Sequence, residues 1–383
     1  MLGSLRAFVR KERLLVALLV FAAAFFAYRW AVDLQRPGAQ TEEGWRGFID
    51  QGGYLREAVL LGNLHTIPKA DFGFGPGYPA LAAPFTTFGD RGWPFDDPFL
   101  PANMAIWLLT VAATFLVGRR LLDQWAGLAA ALALMLATPL IGLMTLPWNT
   151  TASLGALMVT MLVALARRLV WWHGLVLGLA IALAFSARYS DALWVAIPAV
   201  GIVVARGALS RRSVGVLGGL ATGTVLGLLP TLYLQWKAFG DPLETPYSAG
   251  GNQAGLSSFD VGDIPSHALQ TFISPYFFHE SGHPSAAQPL LSSMFIIALA
   301  PIGFALAVHA SREGRRLLVL AYGVASLLAT LFYLAYWFTG SYGLGFGAVH
   351  FFKMWFPLWT IAATATVVAA VRALAPQSAA TRR

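Results

Sequence analysis

Residues 44–84 read GWRGFIDQGGYLREAVLLGNLHTIPKADFGFGPGYPALAAP, and they form the longest polar interruption early in a chain that is otherwise mostly apolar. Of the 383 residues, 57% are hydrophobic and only 11% are charged. Soluble globular domains contain about twice that share of charged residues. Apolar runs of about 18 residues or more are typical of transmembrane helices, and such runs lie on both sides of the quoted stretch. The sequence therefore predicts an all-α integral membrane protein.

The apolar residues gather into ten runs, each of which we interpret as a transmembrane helix. The first follows a basic start, as in a signal peptide, but because many spans come after it we interpret it as an uncleaved signal anchor. We expect a single transmembrane domain at 1–375, with no separate soluble domain, and a cytoplasmic tail at 376–383. The ten runs are 14–32, 102–117, 125–143, 151–166, 171–187, 192–205, 214–236, 290–309, 317–338 and 352–371.

The charged residues predict which side of the membrane each loop occupies. Counting from the amino terminus, every second loop is basic, and these loops hold most of the 26 Lys and Arg residues. Of the 18 carboxylates, only Glu12, Asp123 and Glu313 fall on that side. By the positive-inside rule, both termini are then cytoplasmic in the inner membrane, and two long external segments lie at about 33–101 and 237–289.

The net charge of +8 matches anionic lipid headgroups better than nucleic acid, because the basic residues are confined to one side of the predicted bundle. The chain has no Cys, which excludes disulfides, thiolate catalysis and Cys-based zinc sites. The predicted partner of the protein as a whole is therefore the membrane.

Asp50 is the first candidate for chemistry, because it precedes a short amphipathic segment at 54–61. Apolar side chains recur there at helical spacing, with Arg56 and Glu57 on another face, and we predict an interfacial helix lying along the bilayer surface. A carboxylate at the start of such a helix can take a proton from an acceptor hydroxyl. The alternative interpretation is that Asp50 only caps the helix.

Three features of this stretch together resemble the first external loop of GT-C glycosyltransferases. They are Asp50-x-x-x-Tyr54, the Gly62-Asn63 at the end of the predicted helix, and Phe72-Gly-Phe-Gly-Pro-Gly-Tyr-Pro79. The resemblance is to the type that uses polyprenyl- or dolichyl-phosphate sugars, which includes the lipid A aminoarabinose transferase, and it extends more loosely to about residue 359. It implies a GT-C-like bundle that transfers a sugar with inversion from a polyprenyl-phosphate donor to a lipid, glycan or protein acceptor, without a cofactor. It also implies that Asp50 is the catalytic base.

The chain departs from this family after the third run. Many relatives have a second acidic residue in a Pro-x-Asp-like setting, whereas this sequence has Pro147-Trp148-Asn149. An amide can orient a hydroxyl but cannot act as a base. The resemblance therefore leaves Asp50 as the only strong base, and the scarcity of paired carboxylates predicts no metal site. Two histidines at i and i+4, His279 and His283, are a weak metal candidate, because the neighbouring glycine and proline disfavour a helix.

Three basic residues are predicted to bind the donor phosphate. Arg188 lies between two apolar runs with almost no loop, where a charge is costly unless it faces protein or water. Arg188–Asp191 pairing and snorkelling to the interface are the alternatives. His350 occupies the place of a phosphate-binding Arg in relatives, and Lys353 follows one helical turn later; snorkelling is again the alternative for Lys353.

Further side chains are predicted to bind substrate at the external face. These are Tyr54, Glu57, Tyr78, Asn149 and Tyr189, with Glu244 or Tyr247 as a more speculative rim contact.

Two other functions stay open. A transporter or flippase of a lipid-linked sugar would also span the membrane, but transporters favour internal repeats and charged midplane helices, and we find no repeat. A non-catalytic relative that only binds the polyprenyl lipid would explain Asn149.

Overall fold

The structure is a computed structural model, and it describes residues 12–33, 49–86, 97–206, 211–249, 259–273, 294–336 and 349–374. Within these ranges the chain is helical, and the only β-type pairing is an isolated bridge between Phe259 and Tyr336. This confirms an all-α fold. The predicted tail at 376–383 and the histidine pair at 279 and 283 lie outside the described residues.

The described ranges contain sixteen α-helices, numbered in chain order. The first eight are α1 Arg13–Asp33, α2 Ile49–Gly62, α3 Gly77–Ala82, α4 Leu100–Leu121, α5 Gln124–Met135, α6 Thr138–Thr145, α7 Thr150–Ala164 and α8 Trp171–Ala187. The second eight are α9 Asp191–Ala205, α10 Arg211–Phe239, α11 Pro246–Ala249, α12 Ile264–Ala268, α13 Ala300–Ala310, α14 Glu313–Leu334, α15 Val349–Phe352 and α16 Phe356–Leu374.

Each of the ten predicted apolar runs overlaps an apolar helical stretch. Within the described residues, five helical stretches are long and apolar enough to cross a membrane: Arg13–Val32, Leu100–Leu121, Val214–Phe239, Gly314–Leu334 and His350–Leu374. Five more are apolar but shorter: Gln124–Met135, Thr150–Ala164, Trp171–Ala187, Asp191–Ala205 and Phe295–Ala310. The helices support a membrane protein, and the crossing by all ten remains a prediction.

Three predicted spans are not continuous α-helices in the described residues, and a proline lies near the start of the α-helix that follows each break. The run at 290–309 is described from residue 294 and passes from a 3₁₀ helix, Phe295–Leu299, into α13, which has a proline in its first turn. The run at 125–143 ends at Met135 and resumes in α6, which has a proline in its first turn after an extended Ala137. The last run passes through a 3₁₀ turn, Lys353–Trp355, before α16 begins just ahead of Pro357. Proline lacks an N–H and clashes with the preceding turn, so a helix begins near it more easily than it passes through it.

Glycines bring α8 and α10 into backbone contact. A Cβ placed on Gly174 would lie 2.9 Å from the backbone nitrogen of Leu220, and one on Gly223 would lie 2.9 Å from the carbonyl carbon of Leu175. Such contacts are possible only without a side chain, and close packing through small residues is a common way for membrane helices to associate. The two helices stay in contact as far as the last turn of α8, where the Thr231 hydroxyl donates a hydrogen bond of 2.6 Å to Ser186, next to the residue at which the candidate site begins.

Two ion pairs mark one end of the bundle. Arg119 at the end of α4 contacts Glu12 before α1 at 2.6 Å, and Arg372 near the end of α16 contacts Asp123 at 3.1 Å. All four residues belong to segments predicted to lie on the cytoplasmic side. The other end of α4 packs against the quoted stretch, because the Tyr78 hydroxyl donates a hydrogen bond of 2.9 Å to Asn103. The two predicted faces are thus opposite ends of α4, while the side of the membrane that each faces stays a prediction.

Candidate active site

Asp50 lies in the first turn of α2, and its carboxylate is partly buried. The predicted segment is helical, with Tyr54 and Ala58 buried one turn apart and Arg56 exposed. The predicted polar face is wrong in one respect, because Glu57, expected on the side of Arg56, is fully buried with the apolar residues. The structure describes α2 from Ile49 onward, so the residues that would decide whether Asp50 caps the helix lie outside the described ranges. Burial raises the pKa of the Asp50 carboxyl above its ordinary value, which makes the carboxylate a stronger base.

Glu57 lies two turns after Asp50 on α2 and is fully buried. Its Oε1 accepts hydrogen bonds from the backbone N–H groups of Gly73, at 3.0 Å, and Phe74, at 3.2 Å. Its Oε2 is buried without a hydrogen-bond partner among the described residues. Burial raises the pKa of Glu57 to about 8, so the carboxyl is mostly protonated at neutral pH.

The segment at 72–79, here called the Gly/Pro segment, is packed between α2 and the end of α8. Tyr54 contacts Phe74 with ring centres 4.6 Å apart and meets Tyr78 edge-on at 5.6 Å. On the other side, a Cβ on Gly77 would lie 2.7 Å from the backbone nitrogen of Ala187. The Gly/Pro segment is therefore fitted, backbone against backbone, to the residue before Arg188. Tyr54 and Tyr78, both predicted substrate contacts, are fully buried in this packing.

Arg188 occupies the connection between α8 and α9, and its guanidinium packs over two aromatic rings. The distances from Cζ to the ring centres are 4.7 Å for Tyr333 and 4.3 Å for Phe351. No ion pair within 4.0 Å joins Arg188 to Asp191, the pairing considered from the sequence, or to any other carboxylate of the described ranges. Its Nη1 is buried and has no hydrogen-bond partner in that part of the chain.

Asp191 accepts a hydrogen bond from the Tyr333 hydroxyl instead. The Asp191 side chain is buried, and its second oxygen, Oδ2, has no partner among the residues the structure describes. Tyr333 thus contacts both the cation and the carboxylate and stands where a direct ion pair would otherwise form. The Nη1 of Arg188 is therefore left without an acceptor among the described residues.

Asp50 and Arg188 act on the same three tyrosines. Both charges are close enough to interact electrostatically with Tyr54, Tyr247 and Tyr336. No hydrogen bond or ion pair within the described residues joins the two charges to each other. A base and an anion-binding cation are thus brought to one region from α2 and from the α8–α9 connection.

Tyr333 and Tyr336 are contributors that the sequence did not single out. They lie three residues apart at the end of α14, and no sequence pattern distinguishes them from other aromatic residues at the ends of spans. Tyr247, considered only as a rim contact, lies in α11 and stands edge-on to Tyr189 with ring centres 5.8 Å apart. Burial raises the pKa of Tyr247 to about 12, so its hydroxyl stays protonated. The Tyr189 hydroxyl accepts a hydrogen bond from Gln235 at 2.8 Å.

Lys353 lies deeper, and snorkelling to the interface is wrong for it because the side chain is fully buried. Its Nζ donates hydrogen bonds to the Thr151 hydroxyl at 2.5 Å and to the Leu143 carbonyl at 3.5 Å. It lies within electrostatic range of Asp191. An ionisable side chain held inside a membrane protein in this way is rare and usually functional.

His350 and Asn149 contact the two neighbours through which Arg188 is held. The His350 ring stacks on Trp148 with centres 4.5 Å apart, and it contacts the Phe351 ring on which Arg188 lies. Asn149 donates a hydrogen bond of 3.3 Å to the carbonyl of Ala187. His350 is thus linked to Arg188 through Phe351, whereas no contact within the described residues joins Lys353 to Arg188.

No group of three or more potential metal ligands occurs among the described side chains. No known family model matches the chain, and comparison with curated proteins finds no similar sequence. The function of the chain is therefore inferred from the geometry of this site and from the resemblance carried by residues 44–84.

Proposed function

We propose that this protein is an inverting membrane glycosyltransferase that moves a sugar from a polyprenyl-phosphate donor to an acceptor at the outer face of the membrane. The observation that carries the proposal is the arrangement of Asp50 and Arg188. A partly buried carboxylate and a buried guanidinium act on the same three tyrosines, yet neither neutralises the other. Opposite charges usually pair when buried, so their separation favours a site with two different substrate groups between them.

Arg188 has the chemistry to hold the donor phosphate. Its Nη1 is buried and free of partners in the described residues, and guanidinium groups bind phosphate oxygens through two parallel hydrogen bonds. As the sugar leaves, negative charge grows on the phosphate. A fixed cation at that position stabilises the charge more in the transition state than in the ground state.

Asp50 has the chemistry to activate the acceptor. In an inverting transfer, the acceptor hydroxyl attacks the anomeric carbon on the face opposite the leaving phosphate, and its proton passes to a base. Burial raises the pKa of Asp50, and a base works best when its pKa approaches the working pH. Because Asn149 replaces a second acid, Asp50 is the single base in this mechanism.

Lys353 and His350 support the phosphate site from the bundle interior. The Lys353 Nζ donates a hydrogen bond to the Thr151 hydroxyl and lies within electrostatic range of Asp191, three residues after Arg188. Tyr189, Tyr247 and Tyr336 offer ring faces and hydroxyl groups near the two charges, and aromatic rings are suited to pack against sugars. Three residues shape the site through their packing, since they are fully buried in the protein: Tyr54, Tyr78 and Glu57.

The test is reconstitution of the purified wild-type chain into vesicles that contain a polyprenyl-phosphate sugar with a radioactive sugar group. The proposal predicts that the label leaves the lipid, that free polyprenyl phosphate accumulates, and that a glycosylated acceptor with the inverted anomer appears. Movement of the intact labelled lipid between leaflets, with no release of sugar, would overturn the proposal in favour of a flippase.

A further inference from the structure

We propose that Glu57 is a positioning residue that fixes Arg188 through the Gly/Pro segment. The inference rests on the proposed function for its effect on catalysis, while the mechanical link itself is independent of any reaction. Two successive contacts connect Glu57 to Arg188, and all residues in these contacts lie in the described ranges.

The first contact is between α2 and the Gly/Pro segment. Glu57 Oε1 accepts both backbone hydrogen bonds, from Gly73 at 3.0 Å and from Phe74 at 3.2 Å. These are the only hydrogen bonds that join α2 to this segment in the described ranges. Two adjacent N–H groups bound to one oxygen fix both the position and the orientation of the segment.

The second contact is between the Gly/Pro segment and the end of α8. A Cβ on Gly75 would lie 3.0 Å from the carbonyl oxygen of Ala187, and one on Gly77 would lie 2.7 Å from the Ala187 nitrogen. These two backbones are in contact with no flexible side chain between them. A shift of the Gly/Pro segment would therefore move the end of α8 directly. Arg188 is the next residue, and its own backbone N–H is bound to Ala184 at 2.8 Å.

The chemistry of Glu57 fits a positioning role better than a catalytic one. One oxygen is occupied by the two backbone groups, and the side chain is fully buried. A neutral carboxyl still accepts both hydrogen bonds through its carbonyl oxygen. Glutamine has the same shape and the same acceptor, so Glu57→Gln keeps the contact, whereas Glu57→Ala removes it.

The mechanical link is tested by distance measurement between two spin labels in nanodiscs. Because the chain has no Cys, labels attach only at introduced sites. We choose Gly73→Cys, whose Cβ meets nothing within 4 Å, and Leu193→Cys on the first turn of α9, where the side chain is 54% exposed. A narrow distance distribution is expected in the parent and with Glu57→Gln, and a broad or shifted one with Glu57→Ala. An unchanged distribution with Glu57→Ala, or a broad one with Glu57→Gln, would overturn the inference.

The catalytic consequence is tested separately by transfer kinetics. Misplacement of a catalytic group by about 1 Å can lower a rate about 100-fold, so Glu57→Ala is expected to raise KM for the lipid-phosphate donor and lower kcat/KM by 10- to 100-fold. Glu57→Gln is expected to restore both and to keep the wild-type pH–rate profile. Loss of activity with Glu57→Gln would overturn the positioning role in favour of acid–base catalysis. If the wild type proves inactive in transfer, the proposed function fails while the spin-label result still decides the mechanical link.

Discussion

Replacing Gly77 by alanine tests whether the close fit between the Gly/Pro segment and α8 holds the active site in place. The new methyl group would lie 2.6 Å from the Cβ of Ser186 and 2.7 Å from the backbone nitrogen of Ala187. An ordinary contact with such atoms begins near 3.4 Å, so the two backbones must separate by about 0.7 Å. Both obstacles are at or on the backbone, where no side-chain rotation relieves the clash.

The size of the effect follows from that displacement. Overpacking a tight contact costs about 1–3 kcal/mol of stability, and a shift approaching 1 Å at a catalytic group costs up to about 100-fold in rate. We therefore expect Gly77→Ala to remain folded but to lose 10- to 100-fold in kcat/KM for the lipid-phosphate sugar. The matched control is Gly73→Ala in the same segment, because a Cβ there meets nothing within 4 Å and activity should stay within about twofold.

The measurements are initial rates of sugar transfer and the melting temperature of each variant in the same nanodiscs. Equal activity of Gly77→Ala and Gly73→Ala would refute the argument that this contact positions Arg188. A loss of activity fully explained by loss of folded protein would also refute it, and the melting temperature separates the two cases.

Two further predictions concern charges. Arg188→Gln should weaken binding of polyprenyl phosphate by about 10- to 100-fold, because hydrogen bonds to a charged group are worth about 1.5–3 kcal/mol. Substitution of the exposed Arg56 by glutamine serves as the control. Equal binding by the two variants would argue against a phosphate site at Arg188. Glu57 should make the wild type less stable as pH rises. Its pKa is about 8 in the folded protein and 4.5 ordinarily, so between these values the folded state holds a proton that the unfolded state has released. The free energy of unfolding then falls by at most about 1.4 kcal/mol per pH unit. Melting temperatures from pH 5 to 8 should show this fall in the wild type and not in Glu57→Gln, and the same slope in both proteins would exclude Glu57 as its source.

The helices were predictable because burial in lipid demands long apolar runs, and each of the ten runs overlaps an apolar helical stretch in the described residues. The breaks before α6 and α16 lie next to Pro139 and Pro357, which the sequence shows. A prediction from apolar runs alone does not detect these breaks. The amphipathic segment after Asp50 was also predictable, since its buried side chains recur at helical spacing.

The site was only partly predictable, because its key contacts join residues far apart in the chain. Nothing local to Glu57 indicates that it holds Gly73 and Phe74, and nothing local to Tyr333 indicates that it separates Arg188 from Asp191. The Arg188–Asp191 pairing was a reasonable expectation from spacing, but a tertiary contact to α14 replaced it. Lys353 was predicted from its place relative to His350, whereas its burial against Thr151 depends on how α16 packs into the bundle.

The central claim is that Asp50 takes the acceptor proton in a sugar transfer, and the most direct measurement compares wild type with Asp50→Asn in the reconstituted transfer assay. Asparagine has nearly the same shape as aspartate but cannot accept the proton. The account predicts a fall in kcat of about 10²- to 10⁴-fold with unchanged binding of polyprenyl phosphate, since Arg188 is untouched. Equal turnover by the two proteins would contradict it.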